Sequence, residues 1–291
     1  MTTPHQQRRR LPRIDCFAAF WVSPALVWQL AFFVAPLGFL VWMTFWRVQS
    51  FRLTQDFILD NWRRIFASGF FYDAFAHTFL LATVTAVLVS AIAFPASFYL
   101  AFRASAMTKR IAMIALITPF FTSYLVRIYS LQIILAEQGI INYALRPLGI
   151  GPITMLGNSF GTVVGFITLC LPIVIVIQLL ALSAMDRRLI EAAANLGCGP
   201  LTTVFKVVLP SARVGLLMAA TFAFLMAFGD YVSPLFLGGS KPPTLSILIA
   251  DQVKSGNHWP RAAVVAVVMV LTLVAVLLVM TLVAYRKRRP A

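Results

Sequence analysis

The sequence predicts an all-α integral membrane protein with about six transmembrane helices, and three observations lead to that fold class. Of the 291 residues, 60% are hydrophobic and only 11% are charged, whereas soluble domains carry about 25% charged residues. The apolar residues form long runs, and a helix of about 20 such residues crosses a bilayer core. Basic residues gather between the runs, which is typical of orientation signals. The predicted spans are roughly 17–45, 77–102, 111–135, 160–183, 212–237 and 261–285.

The first run follows three arginines and therefore invites comparison with a secretory signal. The apolar core of such a signal has about 7–15 residues, whereas run 17–45 is about twice as long. We therefore interpret it as a retained first helix after a basic tail, residues 1–16. Residues 17–285 form the predicted six-helix membrane domain, and residues 286–291 form a second basic tail.

The basic residues indicate the orientation of the chain. Most of the 24 Lys and Arg residues fall on one side of the predicted spans, and the positive-inside rule makes that side cytoplasmic. Both termini are then cytoplasmic, as an even number of spans requires, and the expected location is the inner membrane. These residues are Arg8, Arg9, Arg10, Arg13, Arg103, Lys109, Arg110, Arg187, Arg188, Lys206, Arg213, Arg286, Lys287, Arg288 and Arg289.

Several function classes lack support in the sequence. The net charge of +15 sits beside apolar runs, which favours contact with lipid headgroups over nucleic acid. No paired carboxylates, Ser/His/Asp set or metal-ligand spacing occurs, so we expect neither an enzyme nor a metal site. The segment GGSKPP at 238–243 lacks the spacing of a phosphate loop. The cysteines and histidines are scattered, at Cys16, Cys170, Cys198, His5, His77 and His258.

The longest internal cytoplasmic segment lies between the fourth and fifth spans. Ser183 and Asp186 match a capping box that would start a helix, and Gly197 suits its end. Pro200 can open a second short helix, with Pro210 as its stop. We expect one apolar face on each helix, with Leu189, Ile190, Ala193 and Leu196 on the first and Phe205 and Val208 on the second. Such a segment either plugs a groove in another protein or lies on the membrane surface.

One motif in this segment resembles a known signature. Glu191-Ala192-Ala193, then Gly197 after three residues, then Leu209-Pro210 after eleven more, is similar to the EAA signature of type I ABC importer permeases. Residues 119–143 and 221–239 look like the branch of that family that imports spermidine and putrescine. Related branches handle opines, phosphonates and other small solutes.

The resemblance implies a transport role shared with other chains. The loop 184–211 would dock on a separate cytoplasmic ABC ATPase, which binds ATP and Mg, while this chain binds no cofactor. A second permease subunit, expected to be a homologous hetero-partner, and an extracytoplasmic solute-binding protein would complete the importer. The best solute hypothesis is a polyamine. The residues that the resemblance assigns to coupling are Arg187, Glu191, Ala192, Ala193, Gly197, Leu209 and Pro210.

Charges within the spans mark a candidate solute pathway. Asp230 and Arg127 lie at similar depth, roughly 25 Å from the cytoplasmic helix ends at about 1.5 Å per residue. They either pair with each other, or Asp230 meets an ammonium group of the solute with help from Tyr231 and Tyr129. Gln178 either bridges two helices or lines the path.

Two further patterns concern packing. Small residues recur at every fourth position along the fifth run, which lets helix backbones approach closely, either inside one subunit or against a second one. The outer connection 46–76 contains a short amphipathic pattern, and tryptophans mark the outer membrane boundary. The residues concerned are Ser211, Gly215, Ala219, Ala223 and Ala227 on the fifth run, Ile58, Trp62, Ile65 and Phe66 in the connection, and Trp42, Trp46 and Trp259 at the boundary.

Two other functions remain open from the sequence. An ATP-independent secondary transporter or channel would favour internal repeats with broken helices in both halves, and no convincing repeat is present. A membrane-embedded assembly or anchoring protein would need no pathway at all. Association with an ATPase distinguishes the importer subunit from both.

Overall fold

The structure, a computed structural model, describes residues 16–49, 52–149 and 151–286, with backbone only for 16–20. The chain enters through α1 (Cys16–Gln29) and α2 (Ala35–Met43), which one π-helical turn, Leu30–Val34, joins into a single rod. None of the residues in the most apolar stretch of this rod is buried by the rest of the protein. Of the basic tails predicted at 1–16 and 286–291, residues 1–15 and 287–291 lie outside the described residues, and the location of both tails stays a prediction.

A compact connection follows the rod. The strands β1 (Arg47–Gln49) and β2 (Arg52–Thr54) pair antiparallel and lead to α3 (Asp60–Phe66). The side chain of Asn61 donates to the carbonyl oxygens of Thr44 and Trp46, both at 2.8 Å. These bonds tie the helix predicted in this connection to the end of the rod, so it packs on protein.

The third predicted span is not one continuous helix. After α4 (Gly69–Phe102), the chain forms α5 (Ala106–Ile117), α6 (Tyr124–Leu135) and α7 (Ile140–Leu145), with 3₁₀ turns at Thr118–Phe121 and Arg146–Leu148. The arms on the two sides of residues 122–123 are bent by 97°. Pro119 lies at the break, where a residue without an N–H cannot continue the ladder.

The second half of the chain holds two more long helices and a second bend. The helices Pro200–Ser211 and Arg213–Gly229 meet at 78°. Among the described residues, four helices are long and apolar enough to cross a membrane, or up to six spans result if each bent pair counts as one. The elements are α8 (Ser159–Ser183), α9 (Arg188–Asn195), α10 (Pro200–Thr203), a π turn (Val204–Val208), α11 (Leu209–Ser211), α12 (Arg213–Gly229), α13 (Val232–Phe236), α14 (Leu245–Lys254) and α15 (Trp259–Tyr285).

The core lies between α4, α8 and α12, and small residues let these helices approach closely. Ala219 and Ala223 are fully buried, and a Cβ added at Gly215 would lie 2.3 Å from the Cβ of Ala181. The small-residue ridge of the fifth run therefore packs inside the subunit. Gln178 bridges helices, since its amide donates to the carbonyl of Ser90 on α4 at 3.1 Å.

The two ends of the bundle are distinct. The Arg213 guanidinium donates to the carbonyl of Arg286 at 3.1 Å, so the start of α12 and the end of α15 lie at the end of the bundle that carries α9 to α11. The start of α15 packs on α3 at the opposite end.

Candidate functional site

Helix α9 begins differently from the prediction. Ser183 is the last residue of α8, so the expected capping box with Asp186 is wrong: the apolar helix simply continues through the buried Leu182. Instead, the Asp186 carboxylate accepts a hydrogen bond from the N–H of Arg188 at 2.9 Å. One acidic side chain thus satisfies a free donor at the helix start.

Helix α9 ends at Gly197, as predicted. This glycine has φ +76°, a conformation that other residues adopt only with strain. The N–H of Gly197 donates to the carbonyl of Ala194 at 2.9 Å, and the N–H of Cys198 donates to the carbonyl of Ala193 at 3.0 Å. This pair of bonds is a Schellman motif, and it turns the chain sharply toward α10.

The second short helix corrects two expectations. Val208 is fully buried, whereas Phe205 is 65% exposed, so they do not share one apolar side. The π turn Val204–Val208 is wider than an α turn and places residues three apart on different faces. Pro210 does not stop the helix, because α11 continues to Ser211.

One basic side chain of this segment fastens it to the bundle, and a second one, on α5, donates to the same acceptor. Arg187 Nη2 donates to the carbonyl oxygen of Ala101 at 2.9 Å, and Lys109 Nζ donates to the same oxygen at 3.2 Å. Ala101 lies in the last turn of α4, where carbonyls lack helical partners and the helix dipole favours cations. Arg187 therefore positions the coupling segment, defined as residues 184–211, against α4.

The coupling segment presents apolar side chains outward. Leu196 is 84% exposed and Leu201 is 73% exposed, beside the exposed Glu191. The alanine face divides, since Ala192 is exposed but Ala193 is buried against its own chain. Ile190 likewise turns inward while Leu189 stays exposed, so the single apolar face predicted for α9 is split. Leu209 is half-buried and Pro210 is exposed.

The second candidate site is the Asp230 turn, residues 229–233, between α12 and α13. The two carboxylate oxygens of Asp230 accept from the N–H groups of Val232 at 2.9 Å and Ser233 at 3.2 Å. The Tyr124 hydroxyl donates to the same carboxylate at 2.5 Å. Ser246 donates to the Asp230 carbonyl at 2.8 Å. The turn thus joins α6, α12, α13 and α14.

Asp230 and Arg127 do not pair, which corrects the simpler of the two expectations. The Arg127 guanidinium donates to the Pro119 carbonyl and, at 3.2 Å, to Thr122 Oγ1. Its partners thus lie at the break between α5 and α6, where the Pro119 carbonyl also accepts from the N–H and the hydroxyl of Thr122. Within the described ranges, ion pairs form only between Arg47 and Asp56 and between Arg64 and Asp60, so Asp230 has no ion-pair partner there.

The two predicted tyrosines have partners of their own. Lys254 Nζ lies 5.7 Å from the ring centroid of Tyr231, so that face already holds a cation. Tyr129 packs edge-on against Phe236 with centroids 5.2 Å apart. The sequence interpretation missed Tyr124, although its position directly after the Pro119 break was a usable signal.

Metal-binding geometry does not occur in the part of the chain that the structure describes, where no three His, Cys, Asp or Glu side chains come together. Cys170 and Cys198 are both free thiols. The site is therefore a docking-type segment at one end of the bundle and a hydrogen-bonded carboxylate toward the other.

The match to a known protein family covers both candidate sites. The family described as binding-protein-dependent transport system inner membrane component matches residues 92–289. The inner membrane ABC transporter permease protein YdcU of Escherichia coli strain K12 is 27% identical, over 87% of this chain and 88% of that protein. The spermidine/putrescine transport system permease protein PotB of the same strain is also 27% identical, over 75% and 79%.

A solved structure shares the fold. A chain of a bacterial ABC transporter involved in import of the acidic polysaccharide alginate superposes with a TM-score of 0.76 at 15% identity, covering 94% of this chain and 97% of that chain.

Proposed function

Because this chain belongs to the family of binding-protein-dependent transport system inner membrane components, we propose that its coupling segment receives the mechanical work of a cytoplasmic ABC ATPase. The chain itself is a multi-pass inner-membrane permease subunit of an ABC importer and has no catalytic role. ATP and Mg then belong to the partner ATPase.

The exposed apolar side chains of the coupling segment carry this proposal. Leu196, Leu201 and Phe205 project from short helices that the Gly197 turn and the Arg187 contact hold in place. Preformed apolar projections beside a charged edge suit a groove on another protein. Glu191 supplies the charged edge and Ala192 allows close approach.

The bend after α11 supports a route for that work. Only Ala212 separates α11 from α12, which meet at 78°, so a push on the segment is passed directly to α12. The other end of α12 carries the Asp230 turn. Leu209 and Pro210 form the last turn before this bend, which accounts for their place in the motif.

The docking proposal is tested with a matched pair of leucines. Leu201→Asp places a charge on the proposed contact, whereas Leu148→Asp changes a leucine of similar exposure, 72%, outside the segment. We expect the first to reduce co-purification of the ATPase by more than about tenfold, the effect of losing one anchor of about 2 kcal/mol, and Glu191→Lys to act in the same direction. Equal co-purification of Leu201→Asp and Leu148→Asp would falsify the proposal.

The proposed solute is a cationic polyamine such as spermidine or putrescine. The Asp230 carboxylate is half-buried without a cationic partner among the described residues, and such a charge attracts an ammonium group. The spermidine/putrescine relative PotB supports the same class. An opine, a phosphonate or another small solute is the alternative within the family.

Asp230→Asn tests the solute class, because the charge is lost while the amide oxygen, in the place of Oδ2, still accepts from Tyr124 and Ser233. Only the bond from the N–H of Val232 to Oδ1 is given up. We expect ATP-driven uptake of radiolabelled spermidine by the reconstituted importer to fall about tenfold or more, with the assembly intact. Uptake that persists without ATP would instead favour a secondary transporter. Unchanged spermidine uptake by the variant would remove Asp230 from the pathway.

The exposed first rod supports a second permease subunit, since α1–α2 leaves most of its surface uncovered by its own chain.

A solute-binding protein would act at the opposite end of the bundle from the coupling segment. The proposed orientation places both termini in the cytoplasm. Labelling of Cys198, a half-buried free thiol, from the cytoplasmic side alone is the expected result, and labelling from outside contradicts it.

A further inference from the structure

A polar cavity of about 260 Å³ lies at the end of the bundle opposite the coupling segment, where β1, α3 and α15 meet. Three guanidinium groups line it, from Arg47, Arg64 and Arg261, together with the imidazole of His258. Asp60 is the one carboxylate in this lining. The wall therefore carries more positive than negative charge.

The charges of this arginine pocket are only partly matched. Arg64 pairs with Asp60 at 2.9 Å, and Arg47 approaches Asp56 at 3.9 Å. The Nε of Arg261 is buried, and no acceptor for it occurs among the residues that the structure describes. A buried donor without a partner in a positively charged cavity indicates a missing acceptor that carries negative charge.

The position of Arg261 adds to this preference. It lies in the first turn of the 27-residue helix α15, where the helix dipole favours an anion. Guanidinium groups are planar forks that match phosphate oxygens in pairs. The cavity thus offers several directed donors to one tetrahedral oxyanion.

We propose that the arginine pocket binds the phosphate of an anionic phospholipid. Apolar side chains at its edge favour this source: Phe57 is 80% exposed and Leu59 is 55% exposed, and they flank Ile58 of the cavity wall. Trp259, next to His258, is also exposed, as befits a residue at the headgroup level. The phosphate of such a lipid would occupy the charged pocket, and its acyl chains would lie against the apolar edge.

This site lies apart from the coupling segment and from Asp230, so it does not depend on the proposed solute or ATPase. The proposed orientation matters in one respect only, because it places the arginine pocket at the outer leaflet of the membrane. The full-length protein is therefore purified and placed in nanodiscs of phosphatidylcholine, with or without phosphatidylglycerol. Native mass spectrometry counts retained phosphatidylglycerol, and thermal denaturation reports the midpoint.

Charge variants supply the test. We expect Arg261→Gln and Arg64→Gln each to lower retention of phosphatidylglycerol about fivefold, the effect of one basic residue near anionic lipid. Arg52→Gln, an exposed arginine of the same connection, is the control and should leave retention unchanged. Asp60→Asn removes the opposing charge and should raise retention, which a damaged fold would not do.

Three results would overturn the proposal. Equal retention by the unmodified protein and both arginine variants removes the site. A rise in the midpoint with sodium phosphate in pure phosphatidylcholine, as large as that with phosphatidylglycerol, assigns the pocket to free phosphate. Loss of solute-binding-protein affinity in Arg261→Gln, with lipid retention unchanged, assigns it to an acidic side chain of that protein.

Discussion

Helix α12 begins and ends at turns of opposite construction. The coupling segment before it leaves Leu196, Leu201 and Phe205 exposed and is held to the bundle by the Arg187 side chain. The Asp230 turn after it is closed by hydrogen bonds from Tyr124 and from two backbone N–H groups. The first turn leaves apolar side chains exposed, which we propose another protein covers, whereas the second uses its polar groups to hold its own helices together.

The largest expected difference between the two regions comes from a pair of glycine substitutions. A Cβ at Gly238, just beyond α13, would lie 2.2 Å from Thr162 Oγ1 and 2.8 Å from the Pro234 carbonyl. Overpacking of this kind costs about 1–3 kcal/mol or more, so Gly238→Ala should lower the thermal midpoint and the folded yield. Gly199→Ala, in the coupling segment, meets nothing described within 4 Å and should be neutral; equal loss in both would contradict the contrast.

Removal of the Tyr124 hydroxyl should weaken the Asp230 turn. Tyr124→Phe deletes the donor to the Asp230 carboxylate, and a hydrogen bond to a charged group contributes about 1.5–3 kcal/mol. The expected result is a lower thermal midpoint in the purified subunit. Tyr143→Phe is the control, because Tyr143 is 72% exposed; a midpoint equally lowered by both changes would show that the turn is not held by Tyr124.

The coupling segment should respond to Arg187→Gln in transport and not in folding. Loss of the bond to the Ala101 carbonyl removes about 0.5–1.5 kcal/mol of positioning energy. We expect uptake per ATP hydrolysed to fall about two- to tenfold while the ATPase stays bound. Arg188→Gln changes the exposed neighbouring arginine and should keep coupling intact; a matching drop there would argue against the fastening role.

The smallest expected effect concerns pH at the arginine pocket. Burial, and then the charges of Arg261 and Arg64, lower the pKa of His258. The His258 imidazole of the unfolded chain binds a proton near pH 6.5, whereas that of the folded chain binds it only at lower pH. The contribution of neutral His258 to the free energy of unfolding is therefore fully present above about pH 6.5 and is lost as the pH falls through the folded pKa. In phosphatidylcholine nanodiscs, the midpoint should fall slightly more between pH 7 and 5 than in His258→Gln, and identical slopes would refute this.

Local signals made one of the two turns predictable. Apolar run length predicts the membrane helices, and Gly197 ends α9 where a left-handed residue is required. The coupling segment follows such short-range rules only in part, because the expected capping box, the single apolar face of α9 and the Pro210 stop are wrong. Its wider π turn, which separates Phe205 from Val208, has no comparable sequence pattern and was missed.

The Asp230 turn depends on contacts that a linear pattern does not contain. Tyr124 and Asp230 are 106 positions apart, and their meeting requires the bend at Pro119. Equal depth suggested Arg127 as the partner, but that guanidinium donates to the carbonyl of Pro119 at the break. Charge and depth therefore indicate candidates, while backbone demand at the break decides between them.

The uncovered rod α1–α2 has a consequence for how this protein is handled. Among its described side chains, residues 21–43, the half-buried ones are Leu37, Leu40 and Met43, so a lone subunit in detergent exposes a long apolar helix to the micelle. Detergent alone then surrounds this surface, and the proposed second permease subunit should hold the rod in place better than detergent does.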